Sequence, residues 1–102
     1  MTHTVFFHVT ESYIKKEKAK ARLLRKTAWW KRKCSRGICH YCNSSITPSQ
    51  ITMDHIIPLS KGGASVKSNI VTACKPCNTQ KQHNLPYQWT SYMESLKNTE
   101  LE

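Results

Sequence analysis

Apolar positions between residues 21 and 30 recur at helical spacing: Ala21, Leu23, Leu24, Ala28 and Trp30 make a partial stripe. The surrounding segment, Glu11 to Lys33, contains no Gly or Pro and is rich in Lys, Ala, Leu and Arg, so it is predicted as one helix capped by Thr10. Gly37 ends the stretch. From Thr47 the rhythm shortens. Gln50-Ile51-Thr52-Met53-Asp54-His55-Ile56 alternates roughly by two and is β-rich, which predicts a strand. Pro58 ends its ladder, and Lys61-Gly62-Gly63 is a loop able to reverse the chain. Asn69-Ile70-Val71-Thr72-Ala73 is a second, short strand. A helix is expected from near Pro76 to about Asn84. Pro86 opens another, with Trp89, Met93 and Leu96 as core candidates.

Two strands, a loop and a helix, with further helices at both ends, make an α+β plan. The chain has no repeat and no Gly/Ser-rich linker, and 102 residues suffice for one domain. Its parts are 1–10, with no assignable role; 11–36, a basic helix; 37–85, a cysteine-framed core; 86–98, a C-terminal helix; and 99–102, a tail.

Charge narrows the partners. Sixteen Lys and Arg against six Asp and Glu give +10, and residues 15–36 hold eleven of the sixteen with Glu17 as their one acid. Such an excess on a small body favours a polyanion, nucleic acid ahead of an anionic membrane. No run of 18 apolar residues marks a transmembrane helix, and the first ten residues lack the basic start and cleavage site of a secretory signal. The expectation is a cytoplasmic protein without a membrane partner. Five cysteines in a reducing compartment point to metal ligation or catalysis before disulfides.

Four of them pair. Cys39-His40-Tyr41-Cys42 and Cys74-Lys75-Pro76-Cys77 are two C-x-x-C knuckles separated by 31 residues, enough for the strand–loop–strand unit between them. Two such knuckles supply a tetrahedral Zn²⁺ shell, and with four sulfurs no position stays open for water, so the expected role is structural. A redox dithiol accounts for one pair and leaves the other unexplained. Metal binding of this kind contributes on the order of 10 kcal/mol to a small fold. Cys34 reads as an idle thiol and His40 as a residue inside a knuckle whose ligand set is already complete.

Between the knuckles stands the chain's one aspartate, directly before a histidine: Asp54-His55. A single His in a strand is ordinarily a half-buried structural residue. Here Asp54 is the only acid between Glu17 and Glu94, hence the only nearby ligand for a hard cation, and the second knuckle returns the chain with Asn78 just after Cys77. The run Met53-Asp54-His55-Ile56-Ile57-Pro58-Leu59-Ser60-Lys61-Gly62-Gly63, then Asn69-Ile70-Val71, then Cys74-Lys75-Pro76-Cys77-Asn78-Thr79-Gln80-Lys81 resembles the ββα-metal motif of HNH endonucleases of the four-cysteine subtype, over about residues 37–85. The fold class it implies is a small α+β ββα-metal domain with a structural zinc and flanking N- and C-terminal helices.

The resemblance implies an activity: hydrolysis of phosphodiester bonds in DNA, with RNA left open, nicking with low sequence specificity and leaving 5′-phosphate and 3′-hydroxyl ends. It implies His55 as general base, Asp54 and Asn78 as ligands of one catalytic Mg²⁺ or Mn²⁺, and Asn69 as the residue that ties the loop and orients the base. Arg22, Arg25, Lys26, Lys31, Arg32 and Lys33 are candidates for backbone phosphate contacts, and Lys81, three residues after Asn78, for steadying a phosphate or for a solvated surface lysine. Trp29 and Trp30 are candidates for stacking on unpaired bases, with at least one expected in the core. Adjacent strand residues face opposite ways, so Asp54 and His55 reach one phosphate only where the strand is bulged or ending. The rival reading is a non-catalytic zinc-binding module that docks on nucleic acid. It explains the cysteines and the charge, but not the combination of Asp54, His55 and Asn78.

Overall fold

The computed structural model describes residues 8–81 and 84–88. Thr10, in extended conformation, caps α1 (Glu11–Leu24) by accepting the Tyr13 backbone N–H. The single helix expected over Glu11 to Lys33 is in fact two. Thr27 is extended (φ −82°, ψ 155°); its hydroxyl donates to Leu24 O at 2.7 Å and accepts the Trp30 N–H at 3.3 Å, so one side chain closes α1 and caps α2 (Ala28–Arg36). The predicted stripe divides with it: Ala21 and Trp30 are buried, whereas Leu23 is exposed.

Gly37 ends α2 in the left-handed region at φ 60°. A Cβ there would stand 2.8 Å from the Ile46 carbonyl oxygen, so the close return of the chain also requires glycine. The first knuckle follows as a tight turn, closed by the Ile38–Ser45 bridge and the Cys39 N to Ser44 O bond. The strands β1 (Ile51–His55) and β2 (Ile70–Cys74) pair antiparallel, from Ile51 opposite Cys74 to His55 opposite Ile70. The helix α3 (Lys75–Lys81) begins directly after β2, so the second knuckle spans their junction, with Cys74 ending the strand and Cys77 in the first helical turn. The result is the small α+β, ββα-type domain with flanking helices that the motif order implied.

Packing centres on the knuckles. Cys39, Ile46, Ala73 and Cys77 form a buried cluster, with Tyr41, Ile51 and Cys74 packed against it. Helical backbone resumes at residues 86–88, while Trp89, Met93 and Leu96 of the expected C-terminal helix lie outside the described residues. Among the described residues no helix is long and apolar enough to cross a membrane.

Candidate active site and metal centre

The four expected zinc ligands converge. The Sγ atoms of Cys39, Cys42, Cys74 and Cys77 all lie within 4.8 Å of one another, Cys42 and Cys74 at 3.9 Å. Bonds of about 2.3 Å to a tetrahedral zinc set sulfurs roughly 3.8 Å apart, so the cluster matches a structural zinc site. Hydrogen bonding with Ser44 draws the Cys42 thiol down to about 6, whereas burial pushes the Cys74 and Cys77 thiols up. Cys34 stays outside the cluster, and its burial raises its pKa.

At the end of β1 the acid and the histidine part. Asp54 is buried, and its Oδ2 takes both the Tyr41 hydroxyl proton and the Lys81 ammonium, the latter at 3.3 Å. Tyr41 is held protonated, its pKa raised by burial and then by the Asp54 carboxylate. Lys81 also donates to the His55 carbonyl at 3.0 Å and has no exposed surface. It is therefore neither the solvated lysine nor the outward phosphate contact that its position suggested. Its ammonium is an internal counter-ion that anchors α3 to β1.

His55, the last paired residue of β1, turns its ring the other way, with Nε2 2.9 Å from the Ser65 hydroxyl. Burial lowers its pKa below the ordinary 6.5 and Asp54 pulls it back up. The two residues nevertheless border one cleft of about 320 Å³, together with Ile14 and Lys18 of α1, Met53, and Pro58, Leu59 and Ser60. Because the strand ends here, the alternation of its faces does not keep them from a common space. Asn78 lies on the α3 side, where its Nδ2 donates to Thr52 Oγ1 at 2.9 Å; Thr52 is two residues before Asp54, on the same strand face. Asn78 is not among the residues that border the cleft; the Asp54 carboxylate and the Asn78 amide each carry oxygen of the kind that a hard divalent cation takes. Both contacts to Asp54 fall on Oδ2, so a cation there competes with Lys81 for that oxygen alone.

Asn69 ties the loop between the strands. Its Oδ1 accepts the Ile57 N–H at 2.9 Å, and its Nδ2 donates to Ile57 O at 3.1 Å and Ala64 O at 2.9 Å. The loop beneath is closed tightly: a Cβ on Gly63 would fall 1.8 Å from the Ile57 carbonyl oxygen.

Arg22, Arg25, Lys26, Lys31 and Arg32 are exposed and Lys33 is half-buried. Trp30 is a core residue; Trp29 is half-buried, with Lys33 and Lys67 ammonium groups 5.5 and 5.7 Å from its ring. Sequence reasoning missed Lys18, Tyr41, Glu17 and Ser65. Lys18 was one among many basic residues, and the other three act through contacts made 10 to 48 positions away. The lone acid in a basic segment was the one legible signal for Glu17.

The model of a family described as HNH endonuclease matches residues 39–92. The chain is also similar to the CRISPR-associated endonuclease Cas9 of Corynebacterium diphtheriae, 39% identical over 66 residues. That stretch is 63% of this chain and 5% of the relative, so the chain spans only a small part of that protein's length.

Proposed function

Because the chain belongs to the HNH endonuclease family, whose members hydrolyse phosphodiester bonds, we propose that it nicks DNA at the cleft bordered by Asp54 and His55. The observation that carries this reading is the meeting of those two neighbours on one cleft wall, with Lys18 beside them. His55 is the general base. Its burial favours the neutral imidazole, which accepts a proton from water at physiological pH. Asp54 and Asn78 are the residues that would hold Mg²⁺ or Mn²⁺. When bound, that ion relieves charge on the phosphate and on the departing alkoxide. Lys81 holds the Asp54 carboxylate in place through Oδ2, and Asn69 holds the loop in register behind His55. Lys18 and the exposed basic residues of α1 and α2 draw in the phosphate backbone without reading bases, so sequence preference is low.

The test is incubation of the zinc-loaded protein with supercoiled plasmid in Mg²⁺, in Mn²⁺ and without divalent ion, followed by analysis of the ends. Open circles only with divalent ion, carrying 5′-phosphate and 3′-hydroxyl termini, are expected. Plasmid left intact with both ions would leave a zinc-pinned module that binds nucleic acid without cutting it.

A further inference from the structure

Glu17 is the buried acid of α1, the other, Glu11, being exposed in its first turn, and it has no part in the reaction outlined above. Two of its atoms grip one residue of the inter-strand loop. Its carboxylate Oε1 accepts the Ser65 backbone N–H at 2.6 Å, and its backbone carbonyl accepts the Ser65 hydroxyl at 2.6 Å. Lys20 steadies the other carboxylate oxygen at 3.1 Å. One turn earlier, the Tyr13 hydroxyl donates to Gly63 O at 2.8 Å, so α1 holds the loop at residues 63 and 65 from a single helix face. Ser65 is itself buried, and its oxygen lies 2.9 Å from His55 Nε2.

Counting protons along this chain of contacts decides the state of the ring. A serine hydroxyl carries one proton, and a carbonyl oxygen can only accept. The Ser65 proton therefore lies toward Glu17 O. Were it directed to the ring instead, two buried acceptor oxygens would face each other at 2.6 Å with nothing between them. The Ser65 oxygen thus meets the imidazole with lone pairs, and Nε2 must supply the proton of that bond. In a neutral ring, Nδ1 is then the nitrogen without one.

We propose that Ser65, clamped at two points by Glu17, is a positioning residue that holds His55 in the Nε2–H tautomer and presents Nδ1 as the proton acceptor. The inference rests on His55 being the general base and adds which nitrogen works and what fixes it. The devices that fix it lie on α1 and in the loop, outside the motif that carries Asp54, His55 and Asn78.

The test is the ¹⁵N spectrum of the His55 ring in the full, zinc-loaded chain, at a pH where the imidazole is neutral. Nε2 is expected to resonate as a protonated nitrogen and Nδ1 as a bare one, with no averaging between them. In Ser65→Ala both resonances shift toward exchange-averaged values. Plasmid-nicking kcat falls about 10- to 100-fold, the range for losing an outer partner that orients a functional histidine, with KM unchanged. Ser65→Thr, which keeps the hydroxyl, restores most of the rate. A wild-type spectrum with the proton on Nδ1 would overturn the proposal without reference to any variant. So would a Ser65→Ala protein, shown folded by its zinc content, that keeps wild-type ring shifts and kcat. The spectrum needs no turnover: the expected tautomer, found beside full cleavage by His55→Ala, would support the clamp while removing the base assignment.

Discussion

Among the described residues two carboxylates are buried, Asp54 beside a cation as buried as itself and Glu17 beside one that is about half exposed. Asp54 meets Lys81 where neither has appreciable exposure, and Glu17 meets Lys20 on its own helix. Removing one member of a buried pair strands the other's charge, which is why such groups hold their neighbours in fixed positions even when the pair adds little net stability. Glu17 also receives the Ser65 N–H, and that bond, ahead of the Lys20 contribution, lowers its pKa below the ordinary 4.5. A carboxyl whose folded pKa is depressed contributes stability that is fully present above its unfolded value and disappears as pH falls through the folded value. Glu17→Gln is therefore expected to flatten the acid limb of the stability curve below about pH 4.5, read by urea denaturation at a series of pH values. An acid limb as steep as that of the wild type would show that the Glu17 carboxylate is not held this way. None of this was legible beforehand. Lys81 at its position in the chain looks like any surface lysine, and only the packing of α3 on β1 turns it inward.

At the scale of elements, local signals were read well and non-local ones were not. Thr10, Gly37 and the paired cysteines act through chemistry confined to a few residues, and each sits where its type suggested. The break between α1 and α2 was missed because Thr is tolerated within helices, and only its extended backbone and double hydrogen bond make Thr27 a boundary. The docking of α1 on the loop was missed for a different reason. It runs through Tyr13 and Glu17, polar side chains that an apolar stripe does not reveal, reaching residues about 50 positions on. The loop they hold has little tolerance. Gly63→Ala places its Cβ against the Ile57 carbonyl, backbone that cannot swing away like a side chain. It is expected to cost at least the roughly 1–3 kcal/mol of an overpacked site, and to lower nicking by moving the Asn69 tie and the Ser65 clamp. Calorimetry beside a plasmid assay checks both; wild-type values in each would mean that the turn rearranges without disturbing the site.

Among the described residues, two of the four members of the buried cluster around the knuckles are cysteines, so the metal site is part of the packing. A filled four-thiolate site supplies on the order of 10 kcal/mol to a small fold. Stripping zinc with a strong chelator is expected to abolish the cooperative unfolding transition along with activity, and stoichiometric zinc to restore both. A chelated chain that kept its transition would show that the fold stands without the metal. Four thiolates and one Zn²⁺ lower the formal charge from +10 to +8, so attraction to phosphates survives metal loading. The role of His55 in the cleft is decided by nicking of supercoiled plasmid by His55→Ala, at saturating Mn²⁺ and with zinc content matched to wild type. The variant is expected to bind plasmid still but to nick it at least about 100-fold more slowly, the contribution of a positioned general base. Nicking at the wild-type rate would contradict it.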